Sequence, residues 1–320
     1  MPVGNSDNGV GLWAGQVMFA MDNVNQHIDW WHSALPGLDE GFEHKGTLTS
    51  IIIIPKITVG LTNYWNITFS QSIGNRYMDW TGDATTIHHR DEGSHISKYN
   101  AIGGYLGDTK IIGRYLFVND GSGKGKRFFL GAGMTFPSKN TLTHDPFFLN
   151  SEEQVNHRHF ALSEGVYKLA LESQLFIKRN SNPVFYGGTL SAEIPLWENK
   201  YGFSASKLYD FNLSALTKKV SVLKAAVGFR SGLRYTTKAY WNGKYAPNSD
   251  SFILTIGSGA IWVLDSGTFG LNIEKPYFLK GAFAIVEGRQ KQEVDTWQIS
   301  LSYRKVFAFT IPWLNPYSRL

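Results

Sequence analysis

Cysteine is absent from the 320 residues. That excludes a disulfide-stapled secreted domain, while an exported chain that needs no disulfide remains allowed. Long apolar runs are missing too. The longest aliphatic stretch is Ile51 to Ile54, closed by Pro55, far below the roughly 18 continuous apolar residues of a membrane helix. The start, Met1-Pro2-Val3-Gly4-Asn5-Ser6-Asp7, has neither the basic segment nor the apolar core of a secretory signal. If the chain is exported, it is expected to be a mature form. A basic patch is lacking as well: the formal charge of +5 is dispersed along the chain, so nucleic acid is not an expected partner. No Walker loop, dinucleotide fingerprint, zincin helix or Gly-x-Ser-x-Gly nucleophile turn appears.

What the chain does have is glycine (33 residues) and aromatic side chains (10 Trp, 15 Tyr, 21 Phe). Its dominant pattern has period 2. Trp297, Ile299, Leu301 and Tyr303 alternate with Gln298, Ser300, Ser302 and Arg304. Phe128, Leu130, Ala132, Met134 and Phe136 alternate with Arg127, Gly131 and Thr135 in the same way. Successive side chains of a strand point to opposite faces, so each such segment has one greasy and one polar face. A soluble sandwich shares this alternation. Two further features favour a membrane barrel: charges in mid-strand on the polar face, and aromatics near strand ends (Trp65, Trp80, Tyr115, Trp197, Tyr235, Trp262, Trp297) that suit interfacial girdles.

The connections decide. Strands are expected at roughly 10–21, 46–60, 65–77, 108–119, 126–137, 159–178, 183–196, 208–217, 221–237, 251–264, 267–275 and 294–309. Short gaps follow the even-numbered strands and long gaps the odd-numbered ones. Outer-membrane barrels have short periplasmic turns and long extracellular loops, with both termini inside. The sequence therefore predicts an all-β fold, a transmembrane antiparallel β-barrel of about 12 strands in the cell outer membrane, occupying residues 1–320 as one domain. The tail Ile311 to Leu320 does not end on an aromatic. Either the last strand stops near Phe309 with a short extension, or the final strand lies elsewhere.

Residues 105–138 read Tyr-Leu-Gly-Asp-Thr-Lys-Ile-Ile-Gly-Arg-Tyr-Leu-Phe, a turn, then Arg-Phe-Phe-Leu-Gly-Ala-Gly-Met-Thr-Phe-Pro-Ser. This Gly-Asp…Arg-Tyr…Gly-x-Gly-x-x-x-Pro pattern resembles the hairpin of the MetA-pathway phenol-degradation family. That family comprises outer-membrane barrels related in shape to the long-chain fatty-acid transporter. Val59-Gly60-Leu61-Thr62-Asn63 and the strand from Trp65 to Ile73 resemble it too. The likeness covers about residues 45–180 and departs at Ser138-Lys139, where Thr-Gly is expected. It implies an outer-membrane channel or transporter for small molecules, including hydrophobic or aromatic compounds, with no catalytic residues.

Two constellations could carry function. All nine histidines, His27, His32, His44, His88, His89, His95, His144, His157 and His159, fall before residue 160, in or beside the first three expected long loops. With acids such as Asp91 and Glu92 they form a candidate site for Zn²⁺, Cu²⁺, Ni²⁺ or Fe. The alternative is ordinary solvated loops, or contact with a surface protein partner. A metal set drawn from His27, His32, His44, His88, His89, Asp91, Glu92, His95 and His144 matches no standard spacing, and Arg90 sits inside it. The second constellation is the expected lumen, with Arg114, Arg127, Lys168, Lys224, Arg230, Arg234 and Arg304 against Glu172 and Glu193. It reads either as a salt-bridged interior or as a basic eyelet favouring anions. Seven bases over two acids would leave cations unpaired. Ile51 to Ile54 is expected to put apolar groups on both faces. Ser94, His95 and Asp91 are too close in one loop for the convergent geometry of a triad, so a lipid hydrolase is the least favoured reading and no enzyme is expected. Apart from small-molecule cargo, the expected partner is the lipid bilayer.

Overall fold

The computed structural model describes residues 6–32, 44–81, 92–120, 123–146, 156–246, 249–281 and 292–315. Twelve long strands dominate: β1 (Gln16–His32), β2 (His44–Gly60), β3 (Trp65–Thr81), β4 (Leu106–Asn119), β5 (Gly125–Phe136), β6 (Lys168–Lys178), β7 (Phe185–Pro195), β8 (Leu208–Val220), β9 (Ala225–Thr236), β10 (Phe252–Leu264), β11 (Gly267–Lys280) and β12 (Gln292–Thr310). Each pairs antiparallel with its chain neighbours, and β1 pairs with β12 from Gln16↔Thr310 to His32↔Gln292. The ring is closed, which leaves no edge strand in lipid.

Strand β2 shows why the wall forms. Ser50, Lys56 and Thr58 are buried on the inside, while Ile51, Ile53 and Ile57 are exposed on the outside. Ile67 and Phe69 on β3, Phe211 and Leu213 on β8, and Ile299 and Leu301 on β12 continue the outer band. A belt of this size is stable against acyl chains and would aggregate in water. Aromatics border it. Trp65 packs on Tyr115 (ring centroids 5.0 Å) at the periplasmic side, and Tyr167 on Trp197 (5.7 Å) at the extracellular side. The chain is an outer-membrane β-barrel.

Short turns (61–64, 120–124, 179–184, 221–224, 265–266) and long loops alternate as expected. Several boundaries differ. β1 runs over residues 16–32 rather than 10–21. Its outward positions Asn23, Asn25 and His27 are polar, which hides the strand from a hydrophobicity pattern. Residues 6–15 form no strand; Val10 and Leu12 pack on Met18 and Ala20 inside the barrel. Gly15, at φ +79°, turns the chain from this inner segment into β1. β6 starts at Lys168 rather than 159, because Phe160-Ala161-Leu162 belongs to a loop folded into the mouth. β11 continues to Lys280 instead of ending at 275. Trp80 faces inward, edge-on to Trp30 (5.1 Å), and is no girdle residue. β12 ends at Thr310, and the Ile311 amide beyond it donates to Gly15 O (2.7 Å), so the extension docks beside the inner segment. Outside the barrel, Phe203–Ser204, Tyr240–Trp241 and Lys244–Tyr245 form a small extracellular sheet.

Candidate functional site: the lumen

Inside the ring lies a cavity of about 480 Å³, within the roughly 300–1,000 Å³ of small-molecule sites. Its wall is charged and nearly balanced. Asp7, Asp22, Asp108, Glu172, Glu193 and Asp210 face Lys56, Lys110, Arg114, Arg230 and Arg234. The expected excess of bases is therefore overturned: six acids line the cavity against five bases. Arg114 donates through Nε to Glu172 (2.6 Å) and through Nη2 to Asp7 (2.7 Å). Lys56 bridges Asp7 (2.6 Å) and Asp22 (2.7 Å). Lys110 pairs with Glu193, Arg234 with Asp210 (2.8 Å), and Arg230 with Glu274 (3.2 Å). A narrow barrel whose strands carry charges inward must match them across the lumen, since an unpaired buried charge is costly.

The periplasmic floor of the cavity is the inner N-terminal segment, a strap of residues 6–15. Its Ser6 amide donates to Asp22 (3.2 Å), and Asp7 joins Lys56 to Arg114. The Gly9 amide donates to Gln174 Oε1 (2.9 Å), while Gln174 Nε2 donates to Asn8 (3.1 Å). Gly9 has φ +71° and its Cα hydrogens face the Phe176 ring; a Cβ there would come within 2.9 Å of Phe176. Only glycine fits that turn without strain.

The extracellular roof is built from residues 92–105, 137–146 and 156–167. Arg158 is fully buried and donates to the carbonyls of Ser94 (2.7 Å), Ile96 (2.8 Å) and Ile102 (2.9 Å). Burial pulls its guanidinium down to about 10, opposed by Glu92, so at neutral pH it keeps its charge. Glu92, equally buried, accepts from the His159 amide (2.8 Å) and meets His159 Nδ1 (2.7 Å). Near this pair, Phe160 and Trp80 both pack against Ile28, Trp30 and Met78, an apolar collar at the mouth. The Ala161 carbonyl accepts from Arg76 on β3 (3.2 Å), tying the roof to the inner wall.

Of the lumen residues expected from the sequence, Arg114, Glu172, Glu193, Arg230 and Arg234 line the cavity. Lys168 faces inward at the mouth, paired with Glu164 (2.6 Å). Arg304 is inward on β12, with a buried Nη1 that has no hydrogen-bond partner among the described residues. Arg127 stands at the periplasmic end, beside Gly11 of the strap. Lys224 is the exception: it occupies the exposed turn 221–224 at φ +51°, because β9 begins only at Ala225. Asp7, Asp22, Lys56, Lys110, Asp108, Asp210 and Glu274 escaped the sequence reading. Parity within the strands would have found Lys56 and Lys110, since each lies two or four residues from an inward residue such as Thr58 or Arg114. Nothing in the sequence marks Asp7 as a lumen residue. Ile51 to Ile54 puts apolar groups on both faces, as expected: Ile51 and Ile53 face out and Ile54 lines the cavity.

The described histidines do not gather at one point. His27 is on the outer face of β1, bonded to Thr49 (3.0 Å), not in a loop. His95 stacks on Tyr105 and meets Asn75 (3.2 Å); His144 stacks on Tyr99. His157 and His159 lie ring to ring (4.7 Å) in the roof with Glu92. His32 and His44 pair through the backbone at the tops of β1 and β2, and His88, His89 and Asp91 lie outside the described residues. Among the described residues no group of three or more His, Asp or Glu side chains is placed to hold a metal ion. Ser94 is fully buried, accepting from the Arg76 amide (2.9 Å) and donating to Asn75 (3.0 Å).

No family model and no curated protein matches this sequence. Its fold is nevertheless that of a solved outer membrane channel. The crystal structure of that channel, from Pseudomonas putida F1, superposes on 95% of this chain and 100% of its own, with a TM-score of 0.59 at 12% identity. The toluene transporter of Ralstonia pickettii and a FadL homologue of Pseudomonas aeruginosa align over 93% and 90% of this chain, at 10% and 7% identity. Their TM-scores of 0.38 and 0.40 carry no argument beyond a barrel. The barrel fold that the hairpin at 105–138 implied is present.

Proposed function

We propose that this protein is an outer-membrane channel for small molecules. The carrying observation is the cavity of about 480 Å³ between strap and roof, lined by paired charges with a few aliphatic side chains, inside a wall whose outer face is apolar. A barrel used only as an anchor would gain by filling its interior with packed side chains, as narrower barrels do. The collar of Trp30, Trp80 and Phe160 above the cavity offers a surface for molecules with an apolar part, in keeping with the aromatic or hydrophobic cargo that the hairpin resemblance implies. The solved structure that shares the fold, an outer membrane channel, points the same way. Transport rather than hydrolysis is the reading that the open, charge-paired lumen supports. Purified protein in planar bilayers should give discrete conductance steps, and in liposomes it should admit small solutes. A barrel silent in both assays would overturn the proposal.

A further inference from the structure

The ion pairs of the cavity are not presented evenly. Arg234 leaves 55% of its side-chain surface open, whereas its partner Asp210 leaves 19%. Lys110 leaves 38% against 17% for Glu193, and Arg230 18% against 1% for Glu274. In all three pairs the cation stands forward and the carboxylate is recessed behind it. The pairs at the strap are closed on both sides, with Lys56, Arg114, Asp7, Asp22 and Glu172 all largely covered. Three contacts run the other way: Glu164 and Glu193 are each more open than Lys168, and Asp295 is more open than Lys275 on the outside of the barrel. Glu164 belongs to the roof, however, and does not line the cavity. A molecule in the cavity therefore meets guanidinium and ammonium groups first, although the summed charge is close to neutral.

The cavity also holds aliphatic side chains. Val24 on β1 and Ile54 on β2 face it, and so does Leu208 on β8. Arg234 is on β9, next to β8 and five strands from β2 around the ring of twelve. The forward guanidinium therefore has aliphatic surface both beside it and across the lumen. Rings of basic side chains select anions in pores, and guanidinium is suited to bidentate carboxylate recognition. An aliphatic surface opposite favours a ligand whose other end is apolar.

Resting on the channel reading above, we infer that the cavity selects small carboxylates with an apolar body over neutral or cationic molecules of the same shape. Benzoate, benzamide and benzylamine are the probes. With the purified full-length barrel in planar bilayers under a KCl gradient, the reversal potential should show chloride preferred over potassium. Benzoate should block that current at a concentration at least about tenfold below benzamide, the factor supplied by one hydrogen bond to a charged group. Titration calorimetry with the same probes should give the same order without requiring conduction. Arg234→Gln should bring benzoate and benzamide near parity. Lys110→Gln, in an independent pair, should narrow the gap and guards against a folding defect in the first variant. Ile54→Ser should weaken benzoate while leaving acetate unchanged. Equal affinity for benzoate and benzamide, or a potassium preference, overturns the inference even when the channel conducts. A benzoate preference in calorimetry from a barrel that never conducts upholds the recognition chemistry and removes only the channel reading.

Discussion

Replacing Asp7 by Asn tests whether the strap is held by charge. Asp7 is buried and joins two bases on different strands, Lys56 on β2 and Arg114 on β4. Removing one member of a buried ion pair costs roughly 3–5 kcal/mol when its partner is left alone. Here Lys56 keeps Asp22 and Arg114 keeps Glu172, so the lower end applies, about 3 kcal/mol. That loosens strap docking about a hundredfold. The chain has no cysteine, so Ser6→Cys gives a reporter with no background labelling. Ser6 docks through its backbone amide, and the substitution keeps that bond. Where the strap recloses faster than a water-soluble maleimide reacts, labelling measures the open fraction. Adding Asp7→Asn should then accelerate labelling about a hundredfold and lengthen open events in single-channel records. Heat-modifiable migration would confirm an intact barrel in both proteins. A labelling rate within about threefold of the Ser6→Cys parent would refute the argument, and docking would then rest on Gln174 and the Leu12 packing.

Two further outcomes follow from the roof and the wall. Arg158→Ala leaves the carbonyls of Ser94, Ile96 and Ile102 without their donor; at about 1–3 kcal/mol for an unsatisfied buried group, the roof should become protease-sensitive while the barrel stays folded. Limited proteolysis that cuts parent and variant equally would contradict this. Ile53→Arg puts a charge on the lipid face near the middle of β2, and should cost about 2–4 kcal/mol in urea titrations of folding into vesicles. A change below about 1 kcal/mol would mean that this face does not contact the bilayer core.

The barrel was legible because its two determinants are local. Alternation within a strand needs only neighbours, and the lengths of the connections need only the positions of the strand ends. β2 and β12 were readable for that reason. β1 was not: with Asn23, Asn25 and His27 facing outward, the pattern fades after Met21 and reads as the start of a loop where the strand continues. Trp80 failed differently. An aromatic near a strand end suits a girdle, but the contact with Trp30, fifty residues away on β1, shows that Trp80 faces inward.

The interior was harder to read than the wall because it inverts the usual rule. A soluble core is recognised by its greasy residues, whereas this lumen is recognised by matched charges, and matching is a property of pairs. Lys56 illustrates the point. Set among Ile54, Pro55 and Ile57, an inward lysine demands a counter-charge, and Asp22 on the adjacent strand supplies one. With Arg114 held by Glu172, a third acid at this level comes from outside the wall: Asp7, delivered by ten residues that form no strand. Counted strand by strand, the cavity wall holds five acids against five bases, and the strap adds the sixth acid. The same geometry explains why charge balance and anion preference coexist. The strap neutralises the floor from within, where all partners are covered, while Arg234 and Lys110 at the open level keep their acids behind them. What a permeating molecule meets is set by which member of each pair stands forward, and that depends on side-chain length. Arg234 and Lys110 have long stems, and their acids Asp210 and Glu193 have shorter ones, so the positive ends reach the water first.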